Sequence, residues 1–146
     1  MGRASRTKAL ARASAKISAT IIDFGEPLLV QLAAEQPDAA VQRATFQFIL
    51  HVWNAHVLAM PTWGQPQHLA ALHTTLQRQA QLGEVEAFQA LRELTRRRRQ
   101  PRFVNDYRAV GTWGLRHLPD GSLNLYCDAR VPGNGPMAGI DPQHVG

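Results

Sequence analysis

Apolar positions recur at three- and four-residue spacing through the first hundred residues of the chain, then switch to alternation. The first period is that of helices with one buried face, the second that of half-buried strands. Ala, Ile and Leu interleave with basic residues over residues 5–24, and Gly25 supplies a C-terminal stop. Pro27 suits the first turn of a second helix, over residues 26–35, where a missing N–H costs nothing. Asp38 is placed to cap a third, over residues 39–60. From Ala44 on, this third segment is apolar on most sides, which marks it as the buried centre of the fold. Its polar residues Arg43, Gln47, His51 and Asn54 fall on one stripe about 80° wide. Pro61 and Pro66 then break the chain.

A fourth helix follows over residues 67–82, with Leu69, Leu72, Leu76 and Ala80 on one face and Gly83 as its stop. A fifth, over residues 84–99, carries acids in its first turn and arginines in its last, matching the helix dipole at both ends. Val85, Phe88, Leu91 and Leu94 or Thr95 make its buried stripe. Pro101 forbids continuation.

Beyond it, Pro119-Asp120-Gly121 reads as a hairpin turn with positive φ at the glycine. That loop sets a register in which opposed residue numbers sum to 240. Trp113 then faces Cys127, Leu115 faces Leu125, His117 faces Leu123, Gly111 faces Ala129 and Ala109 faces Val131. This face is almost wholly apolar. The other pairs Arg116 with Asn124, Gly114 with Tyr126, Thr112 with Asp128 and Val110 with Arg130. A lone hairpin is marginal in water, so the apolar face must dock on the helices or on another chain.

The predicted fold is therefore α+β: four to five helices around a buried central helix, followed by a C-terminal β-hairpin packed on them. Residues 1–15 read as a basic flexible arm, 16–131 as a single globular domain and 132–146 as a disordered Gly/Pro-rich tail.

Charge is unevenly spread. Of the sixteen basic residues, Arg3, Arg6, Lys8, Arg12 and Lys16 lie in the first 22 positions, which hold no acid. The remaining eleven balance the eleven acids. Within that neutral remainder Arg92, Arg96, Arg97, Arg98, Arg99, Arg102 and Arg108 form a second basic cluster around the end of the fifth helix, opposed locally only by Glu93 and Asp106. Four consecutive arginines fan about 300° round a helix, so one must point inward, towards a carboxylate such as Asp106. The plainer reading of the cluster is a solvated, dipole-matched helix end. The sharper one is a nucleic-acid or anion-binding patch, because arginine forks fit phosphate. Phe103 and Tyr107 lie near enough to stack on bases. The stripe Arg43, Gln47, His51, Asn54 is a candidate polar groove, or simply the wet side of a buried helix.

Other chemistry is sparse. His51 and His56, like His68 and His73, are five apart and face about 140° away from each other, so neither pair shares a metal easily. There is no Gly-rich phosphate loop between strand and helix. The lone Cys127, opposite Trp113, reads as a small buried hydrophobe and fits a reducing compartment. No cofactor, metal or catalytic residue is expected, and no apolar run is long enough to cross a membrane.

Three segments carry a resemblance: Pro27-Leu28-Leu29, Trp53-Asn54-Ala55, and Phe103 through Val110 in the pattern F-x-x-D-x-R-x-V. Together they resemble small bacterial proteins of unassigned function with such segments ahead of a hairpin. The resemblance covers about residues 15–131 and implies no activity, so no functional residue is carried over. The expected role is a small, non-enzymatic cytoplasmic binding or adaptor protein. Its partner would be another protein or a second copy, met through the hairpin edge or the polar stripe. The alternative is non-specific nucleic-acid binding through the basic arm and the arginine cluster. An enzyme ranks third, and a pocket uniting Asp106, Arg108 and His51 would revive it.

Overall fold

The computed structural model describes residues 12–13 and 16–132. In chain order the elements are β1 (Arg12–Ala13), α1 (Lys16–Phe24), α2 (Glu26–Ala34), α3 (Ala39–Leu58), α4 (Gln67–Gln81), α5 (Glu86–Arg98), α6 (Pro101–Val104), β2 (Ala109–His117) and β3 (Leu123–Arg130). The fold is α+β, with helices and a C-terminal antiparallel hairpin packed against them. Residues 1–11, 14–15 and 133–146 lie outside the described residues, and most of the expected arm and tail falls there.

Helix α3 forms the axis. The Asp38 side chain accepts from the Val41 N–H at 2.9 Å, satisfying one donor that the first turn leaves open. Phe46, Ile49, Leu50, Val52, Trp53, Val57 and Leu58 are all fully buried along it. A helix this apolar has to be covered, and every other helix supplies buried residues to the same core: Ile21, Phe24, Leu32, Leu72, Leu91, Leu94 and Phe103. Helices α1 and α2 meet at Gly25, directly over Ile49. A Cβ at Gly25 would come within 2.6 Å of Ile49 Cδ1, so only glycine lets the junction sit this close. Rings of Phe24, Trp53 and Phe103 meet edge to face, with centroids 5.1, 5.6 and 6.2 Å apart.

No single helix among the described residues is long and apolar enough to cross a membrane. Helices α1 and α2 together have the composition, but they bend by 71° and bury Ile21, Phe24 and Leu29 in the core.

The hairpin turn forms as expected. Gly121 has φ +85° and donates to the Leu118 carbonyl at 3.0 Å, while Asp120 Oδ1 accepts from the Ser122 N–H at 3.0 Å. From Thr112 to His117 the pairing follows the expected register, and Trp113, Leu123 and Leu125 are buried against the helices. Beyond Thr112 the register differs. Ala109 pairs with Arg130 and Val110 with Ala129, leaving a bulge at Gly111. The expected pairs Gly111–Ala129, Ala109–Val131 and Val110–Arg130 are thus replaced. The bulge lets Ala109 and Val110 both be buried, each fully.

Three further differences are small. Arg12 and Ala13, expected in the arm, pair in parallel with Asn124 and Leu125 as the third strand of a sheet ordered β1-β3-β2. The first helix, expected over residues 5–24, is described from Lys16 on. Pro101 does end α5, but it also opens the single-turn α6, where proline at the first position fits.

Candidate functional site

The arginine run resolves into residues with different tasks. Arg98 is the one that turns inward, only 5 % exposed. Its guanidinium lies 4.7 Å over the Trp53 ring and donates to the carbonyls of Phe103 and Asp106, the latter at 2.6 Å. Burial pulls its pKa down and the Asp106 charge pushes it up. The Asp106 carboxylate is paired with Arg108 rather than Arg98, at 2.6 Å. Burial alone would raise the Asp106 carboxyl, but the hydrogen bonds and charge of Arg108, helped by Arg98, hold it below its ordinary value.

Arg97 caps α1 from outside: Nε donates to the Phe24 carbonyl at 2.8 Å and Nη2 to the Asp23 carbonyl at 2.5 Å. Those carbonyls close a helix C-terminus and have no partner within it. Arg102 reaches the Asp23 carboxylate at 3.2 Å. Arg96 and Arg99 stay exposed, Arg96 pairing with Glu93 one turn back. The structure therefore does not bring Arg96, Arg97, Arg98, Arg99 and Arg102 to one face.

The stripe on α3 is not an open groove, because β2 lies along it. Arg43 stacks 4.7 Å over the Trp113 ring, and Gln42, just beside it, contacts His117 at 3.0 Å. Asn54 is fully buried and pairs with Val110 as a neighbouring strand would: it accepts from the N–H at 2.7 Å and donates to the C=O at 2.9 Å. Gln47 is exposed and His51 half-buried. The sheet edges expected to recruit a partner are thus partly occupied, by Asn54 on β2 and by β1 on β3.

Residues 103–110 are held by four side chains: Arg98, Asn54, Trp53 through the Arg108 carbonyl at 2.9 Å, and Trp63 through the Tyr107 carbonyl at 2.7 Å. The W-N-A and F-x-x-D-x-R-x-V segments meet here, and what they build is a structural clamp. Burial pushes the Cys127 thiol up to about 11, so it is protonated at neutral pH. Among the described residues no group of three or more His, Cys, Asp or Glu is placed to hold a metal.

Two cavities flank α5, and their charges are opposite. The first is an open groove of about 720 Å³ between α2, the first half of α3 and the first half of α5. Its floor is Leu28, Leu32, Val41, Ala44, Phe48 and Ala87, and its rim carries Glu35, Glu86 and Glu93. None of its lining residues is Lys, Arg or His, in a chain with net charge +5. Val41 is left 46 % exposed there. The second is a cleft of about 510 Å³ between α4 and α5, lined by Arg92, Arg96, Arg99, His73 and Thr95 among others. Neither cavity is lined by Asp106, Arg108 or His51.

Sequence reasoning missed the groove, whose walls come from three separate helices. It also took the contiguous arginines together, whereas the helical spacing of Arg92, Arg96 and Arg99 is the signal that selects the exposed face of α5. Comparison with protein-family models, curated proteins and solved structures finds no match to this chain.

Proposed function

We propose that the protein is a small non-enzymatic adaptor that seats a basic amphipathic helix of a partner protein in the groove between α2, α3 and α5. One observation carries the reading: an apolar floor rimmed by Glu35, Glu86 and the Arg96-paired Glu93, with no basic residue in its lining. Apolar side chains at i, i+3, i+4 and i+7 of a docked helix would cover Leu28, Val41 and Phe48. Lysines or arginines flanking them would face Glu35 and Glu86, steering the encounter and setting orientation more than adding affinity. The half-buried, protonated Cys127 is compatible with a cytoplasmic location.

A fluorescent, helix-forming peptide of leucines and lysines in that spacing serves as probe, with a leucine–glutamate peptide as control. The basic peptide is expected to bind at least about tenfold more tightly, a difference of about 1.4 kcal/mol. Ala44→Arg fills the floor from an exposed position and should abolish that preference. Equal affinity for both peptides, or binding untouched by Ala44→Arg, refutes the reading. Self-association that Ala44→Arg disrupts would instead make a second copy the occupant.

A further inference from the structure

On the other side of α5, Arg92, Arg96 and Arg99 point into one cleft with His73 of α4 and the hydroxyl residue Thr95. All three arginines are exposed, and neither Arg92 nor Arg99 makes an ion pair among the described residues. Glu93 also lines the cleft, and Arg96 holds it. Behind Thr95 sits His56, whose Nε2 lies 3.1 Å from Thr95 Oγ1. Burial, then the charges of Arg98, His73 and Arg99, push this imidazole down to about 4.

We propose that this cleft is a phosphate-binding site that holds a nucleic-acid strand by its backbone. The spacing fits: Arg92 to Arg99 spans seven residues, about 10 Å of helix. Phosphates of one strand succeed one another about every 3.4 Å along the axis, so three arginines on one face meet about three of them. Guanidinium forks match phosphate oxygens in pairs. Contacts to phosphate carry no base information, so binding held by them is indifferent to sequence. The site is distinct from the arginine run as a whole, because Arg97 and Arg98 are committed within the fold. It shares Gln89 and Glu93 with the peptide groove, but Arg92, Arg96 and Arg99 line this cleft alone.

The test uses the full chain with a labelled 20-base-pair duplex and the matching single strand, titrated at several salt concentrations. Each contacted duplex phosphate contributes about −0.9 to the slope of log affinity against log salt. An Arg92→Gln/Arg99→Gln variant is expected to flatten the duplex slope by about 1.8. Arg102→Gln, on an exposed arginine outside the cleft, should leave the slope unchanged. Circular dichroism and the melting temperature confirm that each variant is folded. A slope unchanged in the double variant would assign any binding to the basic residues near the N-terminus and overturn the proposal. Absence of binding tighter than about 100 μM at physiological salt would overturn it as well.

Discussion

Replacing Asn54 tests how the hairpin is attached to the helices. The side chain is fully buried and makes two hydrogen bonds, of 2.7 and 2.9 Å, to the N–H and C=O of Val110, itself fully buried. In Asn54→Ala both backbone groups stay buried and lose their partner. Each unsatisfied group costs about 1–3 kcal/mol, so the total is about 2–6 kcal/mol. Against a domain stability of about 5–15 kcal/mol that is a large fraction. Asn54→Asp keeps an acceptor for the Val110 N–H but sets a carboxylate against the Val110 carbonyl, and should cost still more at neutral pH. Gln47→Ala, on an exposed turn of the same helix, should stay within about 0.5 kcal/mol. Urea unfolding followed by tryptophan fluorescence measures all three. An Asn54→Ala midpoint equal to wild type, or an Asn54→Asp protein as stable as wild type, would refute the strand-like role of this amide.

Three other expectations follow from the same structure. Arg98→Met leaves the Phe103 and Asp106 carbonyls without their charged donor and should cost about 3 kcal/mol or more, while Arg99→Gln should be near neutral by the same urea assay. Leu125→Ala removes a fully buried side chain of the hairpin's inner face and should cost about 2–5 kcal/mol in calorimetric or chemical unfolding; a loss below about 0.5 kcal/mol would place that face outside the core. His56 stays neutral in the folded state down to about 4 but titrates at 6.5 when unfolded. Between those values the unfolded chain binds more protons, so stability falls as pH drops from 7 towards 4, by up to about 3 kcal/mol. His56→Gln should flatten that fall in urea midpoints measured across the range, and an unchanged pH profile would contradict it.

Local signals were legible in the sequence because short-range chemistry decides them. Asp38 caps because its carboxylate reaches forward three residues to the Val41 N–H, and Gly121 turns because its φ is positive. The apolar run through Trp53 had to be buried wherever the chain went. The bulge at Gly111 was not legible, because the strand there also meets Asn54, 56 positions before the Val110 it grips. Nor does periodicity say which of four consecutive arginines turns inward. Arg98 does so because the Phe103 and Asp106 carbonyls and the Trp53 ring converge on it, contacts that exist only after folding. Strand β1 is two residues long, too short to leave a pattern. The acidic groove was hidden for a related reason: Glu35, Val41 and Glu86 are ordinary surface residues of three helices until those helices meet.

A charge swap across that groove is the most direct measurement of the proposed function. Wild type and a Glu35→Lys/Glu86→Lys variant are each titrated with the leucine–lysine and the leucine–glutamate peptides at low and physiological salt. The account predicts that wild type prefers the basic peptide, that the variant prefers the acidic one, and that both preferences shrink as salt rises. The same ranking of the two peptides by both proteins would contradict it.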